Sequence, residues 1–71
     1  MNAQRFKAYH AFVAWHHGAT HRCTVKGVLH YVRWDTRRTQ WEVIGRVDAV
    51  ENFTVPKYPE FLTAHVVKVK L

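Results

Sequence analysis

The segment Tyr31-Val-Arg-Trp34, with Arg37-Arg38 and Trp41 close behind it, carries the side chains best suited to chemistry on an anion. Guanidinium groups pair with phosphate oxygens through paired N–H donors. An exposed aromatic ring stacks on an unpaired base for about 1–3 kcal/mol. A basic β-hairpin also fits a groove of DNA. A plainer use competes: a short chain needs its largest apolar groups inside, so Trp34 and Trp41 are expected to pair across two strands. Arg37 and Arg38 are then the functional pair at the hairpin tip, with Tyr31 or Trp34 adding stacking wherever they are exposed.

A second cluster, His16-His17-Gly-Ala-Thr-His21-Arg-Cys23, brings ring nitrogens near a thiol. On a strand, His21 and Cys23 share a face. With His17 across a turn and His30 from a neighbouring strand they would approximate a tetrahedral zinc site. The spacing matches no zinc-finger pattern and supplies one thiolate only, so the expectation is a buried Cys23 with histidines at a helix C-terminus and no metal or other cofactor.

Catalysis has little to build on. The chain has no serine for a nucleophile triad, no glycine-rich phosphate loop and no close pair of carboxylates. Cys23 with a histidine is a nucleophile pair in principle. A metal-free ribonuclease would need only His, Arg or Lys and a carboxylate such as Glu42 around a phosphodiester. Nothing in the spacing selects either, and the expected protein is not an enzyme.

Charge is distributed unevenly along the 71 residues. Arg5, Lys7, Arg22, Lys26, Arg33, Arg37 and Arg38 face only Asp35 in residues 1–40, whereas Arg46, Lys57, Lys68 and Lys70 balance Glu42, Asp48, Glu51 and Glu60 thereafter. The whole excess of +6 therefore belongs to the first part. Such a field attracts polyanions and steers their approach. The predicted partner is nucleic acid, DNA or RNA, held mainly through phosphates by those seven cations with Tyr31 and Trp34. The alternative partner is an acidic or nucleic-acid-handling protein, whose site a small inhibitor or adaptor of phage or mobile-element type would occlude.

A single cysteine makes no intramolecular disulfide, and Ala11-Phe-Val-Ala-Trp15 is the longest apolar run near the N-terminus. These features predict a cytoplasmic protein with no signal peptide and no membrane span.

The elements that must position these groups follow from spacing. Asn2 is a cap for a helix from about Ala3 to His17, with Gly18 ending it. Phe6, Tyr9, Phe12 and Val13 form one apolar stripe, and Trp15 falls on the opposite side. After Gly18 the period becomes two: His21 to Val25, a turn at Lys26-Gly27, a strand from Val28 to Trp34, a polar connection Asp35–Gln40, and a strand from Trp41 to Val50. In that last strand Trp41, Val43, Gly45, Val47 and Ala49 would share one face, with Gly45 marking a bulge or a close backbone approach. Val67-Lys-Val-Lys-Leu71 alternates like an edge strand guarded by Lys68 and Lys70, and could pair two copies into a homodimer. The predicted fold is α+β, a single domain with one N-terminal helix on a four- to five-stranded antiparallel sheet that curls toward a small barrel.

Overall fold

The computed structural model describes residues 3–69, with side chains from Tyr9 to Val69. The Asn2 cap, the side chains of Arg5, Phe6 and Lys7, and Lys70 lie outside the described residues. The helix α1 (Ala3–His16) is followed by β1 (His21–Val25), β2 (Val28–Asp35), β3 (Gln40–Val47), β4 (Phe53–Thr54), β5 (Phe61–Leu62) and β6 (Val67–Lys68). All strand pairs are antiparallel, in the order β4-β3-β2-β1-β6, and β5 joins β3 on the edge that β4 also uses. One helix on an antiparallel sheet is thus the fold. The sheet has six strands rather than four or five. It remains open, because β6 and the β4/β5 pair occupy opposite edges.

Local chemistry explains the turns. Gly18 adopts φ +99°, and the N–H groups of Gly18 and Ala19 donate to the carbonyls of Trp15 and Ala14 at 2.9 and 3.0 Å, a glycine-closed helix end. Lys26 and Gly27 both take positive φ (51° and 78°), as a two-residue hairpin turn demands. The third strand stops at Val47 rather than Val50. Asp48 ends it by accepting the N–H groups of Val50 and Asn52 on Oδ1, at 3.0 and 2.9 Å, which turns the chain back toward β4.

The sheet is covered on both faces. Ala11, Ala14 and Ala19 pack on Tyr31 and Ile44 on one side, with Leu29, Val47, Phe53 and Val69 around them. On the other, the chain between β5 and β6 crosses from one edge to the other and lays Leu62, Ala64 and Val66 over Cys23, Val32 and Val43. Tyr31 and Val32 are the largest fully buried side chains, each stabilising the fold by about 1.5–3 kcal/mol through burial.

The helix turns opposite to the predicted way. Its inner face is His10, Ala11 and Ala14, whereas Tyr9, Phe12 and Trp15 point outward at 57%, 51% and 52% exposure. Small side chains win the inner face because they let the helix backbone approach a sheet already filled by Tyr31 and Phe53.

Gly45 fulfils both readings of its position. The register slips between Tyr31 and Val32, which pair with Gly45 and Val43, so Ile44 is the extra residue of a bulge. Val47 thereby moves to the helix side, away from Trp41 and Val43. A Cβ at position 45 would lie 2.2 Å from Cζ of Phe53 and within 2.9 Å of two further ring carbons. The Phe53 ring, packed on Tyr31 and on His17, has to move as a unit. Gly45→Ala is expected to cost about 1–3 kcal/mol of stability, read from the shift in urea midpoint.

Candidate nucleic-acid interface

Cross-strand register sorts the predicted site residues by face, since directly opposed residues share a side of the sheet. Trp34 opposes Trp41, His21 opposes Val32 on one side and Lys68 on the other, and all of these lie on the face away from the helix. Arg22 opposes Tyr31, and Arg33 opposes Glu42, on the helix face. Lys26 sits in the β1–β2 turn, separated from the β2–β3 loop by the eight residues of β2, about 26 Å of strand. The five of the seven predicted cations whose side chains are described therefore do not form one patch. Arg37 and Arg38 sit at the β2–β3 tip with Trp34 at its base on the face away from the helix, Arg22 and Arg33 lie on the helix face, as does Phe61 opposite Glu42, and Lys26 is at the far end.

The hairpin tip is ordered by its own backbone. Asp35 Oδ1 accepts the N–H groups of Arg37 and Arg38 at 2.9 and 3.0 Å, which fixes the loop and presents both guanidinium-bearing residues outward. The Arg38 guanidinium lies 4.7 Å from the Phe61 ring centroid, a cation–π contact that ties the loop to β5. Thr39 holds φ +50°, a conformation costly for a β-branched residue, and donates its hydroxyl to the Arg38 carbonyl at 2.7 Å. Thr39→Gly is expected to raise stability by about 1 kcal/mol in a denaturation experiment.

Behind the tip, Trp34 is 44% exposed and meets Trp41 edge to face, with ring centroids 5.1 Å apart. His21 rests 4.8 Å from the Trp41 ring and hydrogen-bonds Thr20 Oγ1 through Nδ1 at 2.8 Å. Lys68, on the adjacent edge strand, opposes His21. The tryptophan pair is structural as expected, yet Trp34 keeps an open surface. Lys68 and His21 belong to this end of the sheet, although the sequence pointed to neither as an anion contact. The alternation around Lys68 marked an edge strand without saying which strand it joins.

Two predicted site residues change role. Tyr31 is 1% exposed and fills the core under the helix, so no base can stack on it. Arg33 donates from Nη2 to Glu42 Oε2 at 3.0 Å, and this exposed pair neutralises its charge locally. Arg46 is likewise paired, with Glu60. Of the carboxylates, Glu42 and Glu60 hold ion pairs while Asp35 and Asp48 hold turns.

The metal-ligand reading dissolves on geometry. Cys23 and His30 are opposed on the face away from the helix, but His30 donates from Nδ1 to the Val28 carbonyl at 2.8 Å, and His21 leans on Trp41. His17 stacks on Phe53 beyond the helix end, on the opposite side of the sheet. Among the described residues no three potential ligands converge. His17, Glu42 and Lys57 do line one cavity of about 230 Å³ with Val55 and Tyr58. Each is already engaged: His17 by Phe53, Glu42 by Arg33, and Lys57 by Tyr58 at 5.7 Å.

Burial pushes the Cys23 thiol and the Tyr31 phenol above their ordinary values of 9.0 and 10.0, the latter partly opposed by Arg22. A buried thiol held protonated is a packing group, not a nucleophile. Because both pKa values are raised, the unfolded chain releases these protons first. Their contribution to stability is complete below about pH 9 and is lost as pH rises through the folded values. The urea midpoint is expected to fall as pH rises above about 9, and Cys23→Ala to remove the lower part of that decline.

Comparison with models of protein families, with curated proteins and with solved structures finds no match for this chain. Among the described residues, no helix is long and apolar enough to cross a membrane.

Proposed function

We propose that this protein is a small nucleic-acid-binding module that acts without catalysis, and that its contact surface is the β2–β3 end of the sheet. The observation that carries the reading is the ordered hairpin tip that bears Arg37 and Arg38, with the half-exposed Trp34 at its base. Phosphates are the natural ligands of the two guanidinium groups. Trp34 offers an unpaired base a stacking surface, and Lys68 extends the positive edge toward β1. Arg22 and Lys26 raise the long-range field that draws in a polyanion without touching the same segment of it. Binding through phosphates carries modest sequence preference, and a cytoplasmic site of action goes with such a ligand.

The test is fluorescence anisotropy with labelled single-stranded and duplex DNA and RNA over a salt series. The expected result is affinity that falls linearly on log–log axes, the slope counting the phosphates engaged. Preference for single strands would identify stacking on Trp34 as part of the contact. Absence of binding to all four forms at low salt sinks the reading. The basic end of the sheet would then be a docking surface for an acidic protein, as an inhibitor or adaptor would use it.

A further inference from the structure

The outer face of α1 is not used by the fold or by the proposed contact. Tyr9, Phe12 and Trp15 follow one another at helical spacing, each about half exposed, while the inner face is mostly alanine. Phe12 and Trp15 stack at 6.5 Å, and His16 closes against both, at 4.5 and 5.3 Å. Other exposed apolar side chains, such as Val50 and Val67, stand singly in loops and at an edge. Three half-exposed aromatic rings at successive turns of one helix, two of them stacked, mark an association surface.

We propose that this stripe pairs two copies of the chain, helix against helix about a two-fold axis. The charge pattern selects the occupant. From Ala8 to His21 the sequence holds no Asp, Glu, Lys or Arg, the longest such stretch in a chain of net charge +6. A nucleic acid or an acidic protein finds no counter-charge there. Two copies, by contrast, approach along the one stretch where like charges do not oppose each other.

The area fits a weak, self-complementary contact. Three half-exposed rings offer about 100 Å² each. The described helix of 14 residues is about 21 Å long, so its flanks add to the contact when two helices lie side by side. The total stays at the low end of specific interfaces, which places the dissociation constant in roughly the micromolar to millimolar range. An isologous pair of this kind carries two hairpin tips, one at each sheet, and needs no nucleic acid to form.

Sedimentation velocity of the nucleic-acid-free protein, from about 10 µM to about 1 mM and at two salt concentrations, tests the pairing. The expected result is a mass that rises with concentration toward twice 8.4 kDa, and rises further at higher salt as repulsion between the copies is screened. That salt response is opposite in sign to nucleic-acid binding, so one reading can fail without the other. Phe12→Glu should hold the protein monomeric with its helical circular dichroism intact, since the side chain points outward. Tyr58→Ser, exposed and not part of α1, should leave the dimer unchanged. Trp15→Gln serves as a second, milder disruption should Phe12→Glu not fold. A monomer at the highest concentration in both salts overturns the proposal, as does a dimer that survives both helix variants. Sedimentation of a monomer with anionic phospholipid vesicles would also overturn it and give the stripe to a lipid surface.

Discussion

Replacing Arg37 and Arg38 together by alanine should weaken binding to a single strand by about 25-fold, and to a duplex by about 60-fold, at about 0.1 M salt. The estimate follows from counterion release. Two lost phosphate contacts lower the log–log slope by about 1.4 for a single strand and about 1.8 for a duplex, and the curves of parent and variant converge near 1 M salt. The convergence is the diagnostic part, because a variant damaged in its fold loses affinity at every salt concentration. Stability should change little. Asp35 still caps the loop through backbone N–H groups that alanine retains, and the exposed contact of Arg38 with Phe61 is worth only about 0.5–1 kcal/mol. Unchanged affinity and slope in the folded double variant would remove the hairpin from the interface. Arg22→Ala, on the opposite face, is the matched control: it lowers the net charge by one while leaving the contact in place.

Tyr31→Ala and Trp34→Ala should separate core from contact although the two rings stand three residues apart on one strand. Tyr31 is 1% exposed, enclosed by Ala11, Ala14 and Ile44 with Phe53 alongside, and its truncation leaves a cavity under the helix. The expected cost is about 3–5 kcal/mol, a large share of the stability of a domain this small, so the variant should be substantially unfolded or melt far below the parent. Tyr31→Phe keeps the ring and should fold, which confirms that volume is what the site requires. Trp34→Ala loses an edge contact with Trp41 at a half-exposed position and should cost about 1 kcal/mol. Its larger effect belongs to ligand binding, a loss of about 1–3 kcal/mol on single strands with an unchanged salt slope, because stacking releases no counterions. A Trp34→Ala variant that binds single strands like the parent would show that the ring serves the tryptophan pair alone.

The division between what sequence and what tertiary structure decide runs between local and distant interactions. Glycine at position 18 closing a helix and Lys26-Gly27 turning a hairpin are legible in sequence because each depends on backbone conformation within a few residues, and Gly45 is legible because a glycine in mid-strand marks a place where a side chain does not fit, here against Phe53. The strands His21–Val25 and Val28–Asp35 are legible for the same reason: alternation with a period of two needs no partner to be read. The hairpin arginines also follow from sequence, since a polar loop between two strands must sit at a tip. Three things required the folded chain. Which face of α1 turns inward depended on how closely the helix could approach Tyr31 and Phe53, and alanines won over the aromatic stripe that periodicity favoured. The alternation at Val67–Leu71 announces β6 as an edge strand, but which strands the two-residue elements β4, β5 and β6 join is decided only by their pairing with β3 and β1, and no local pattern announces β5. Finally, the grouping of charges is a matter of strand direction and register. The described cations are dispersed because alternate residues of a strand face opposite sides and successive turns lie at opposite ends, which leaves Arg37 and Arg38 at the tip with Trp34 at its base and sets Lys68, from the far end of the chain, opposite His21 at the same end of the sheet.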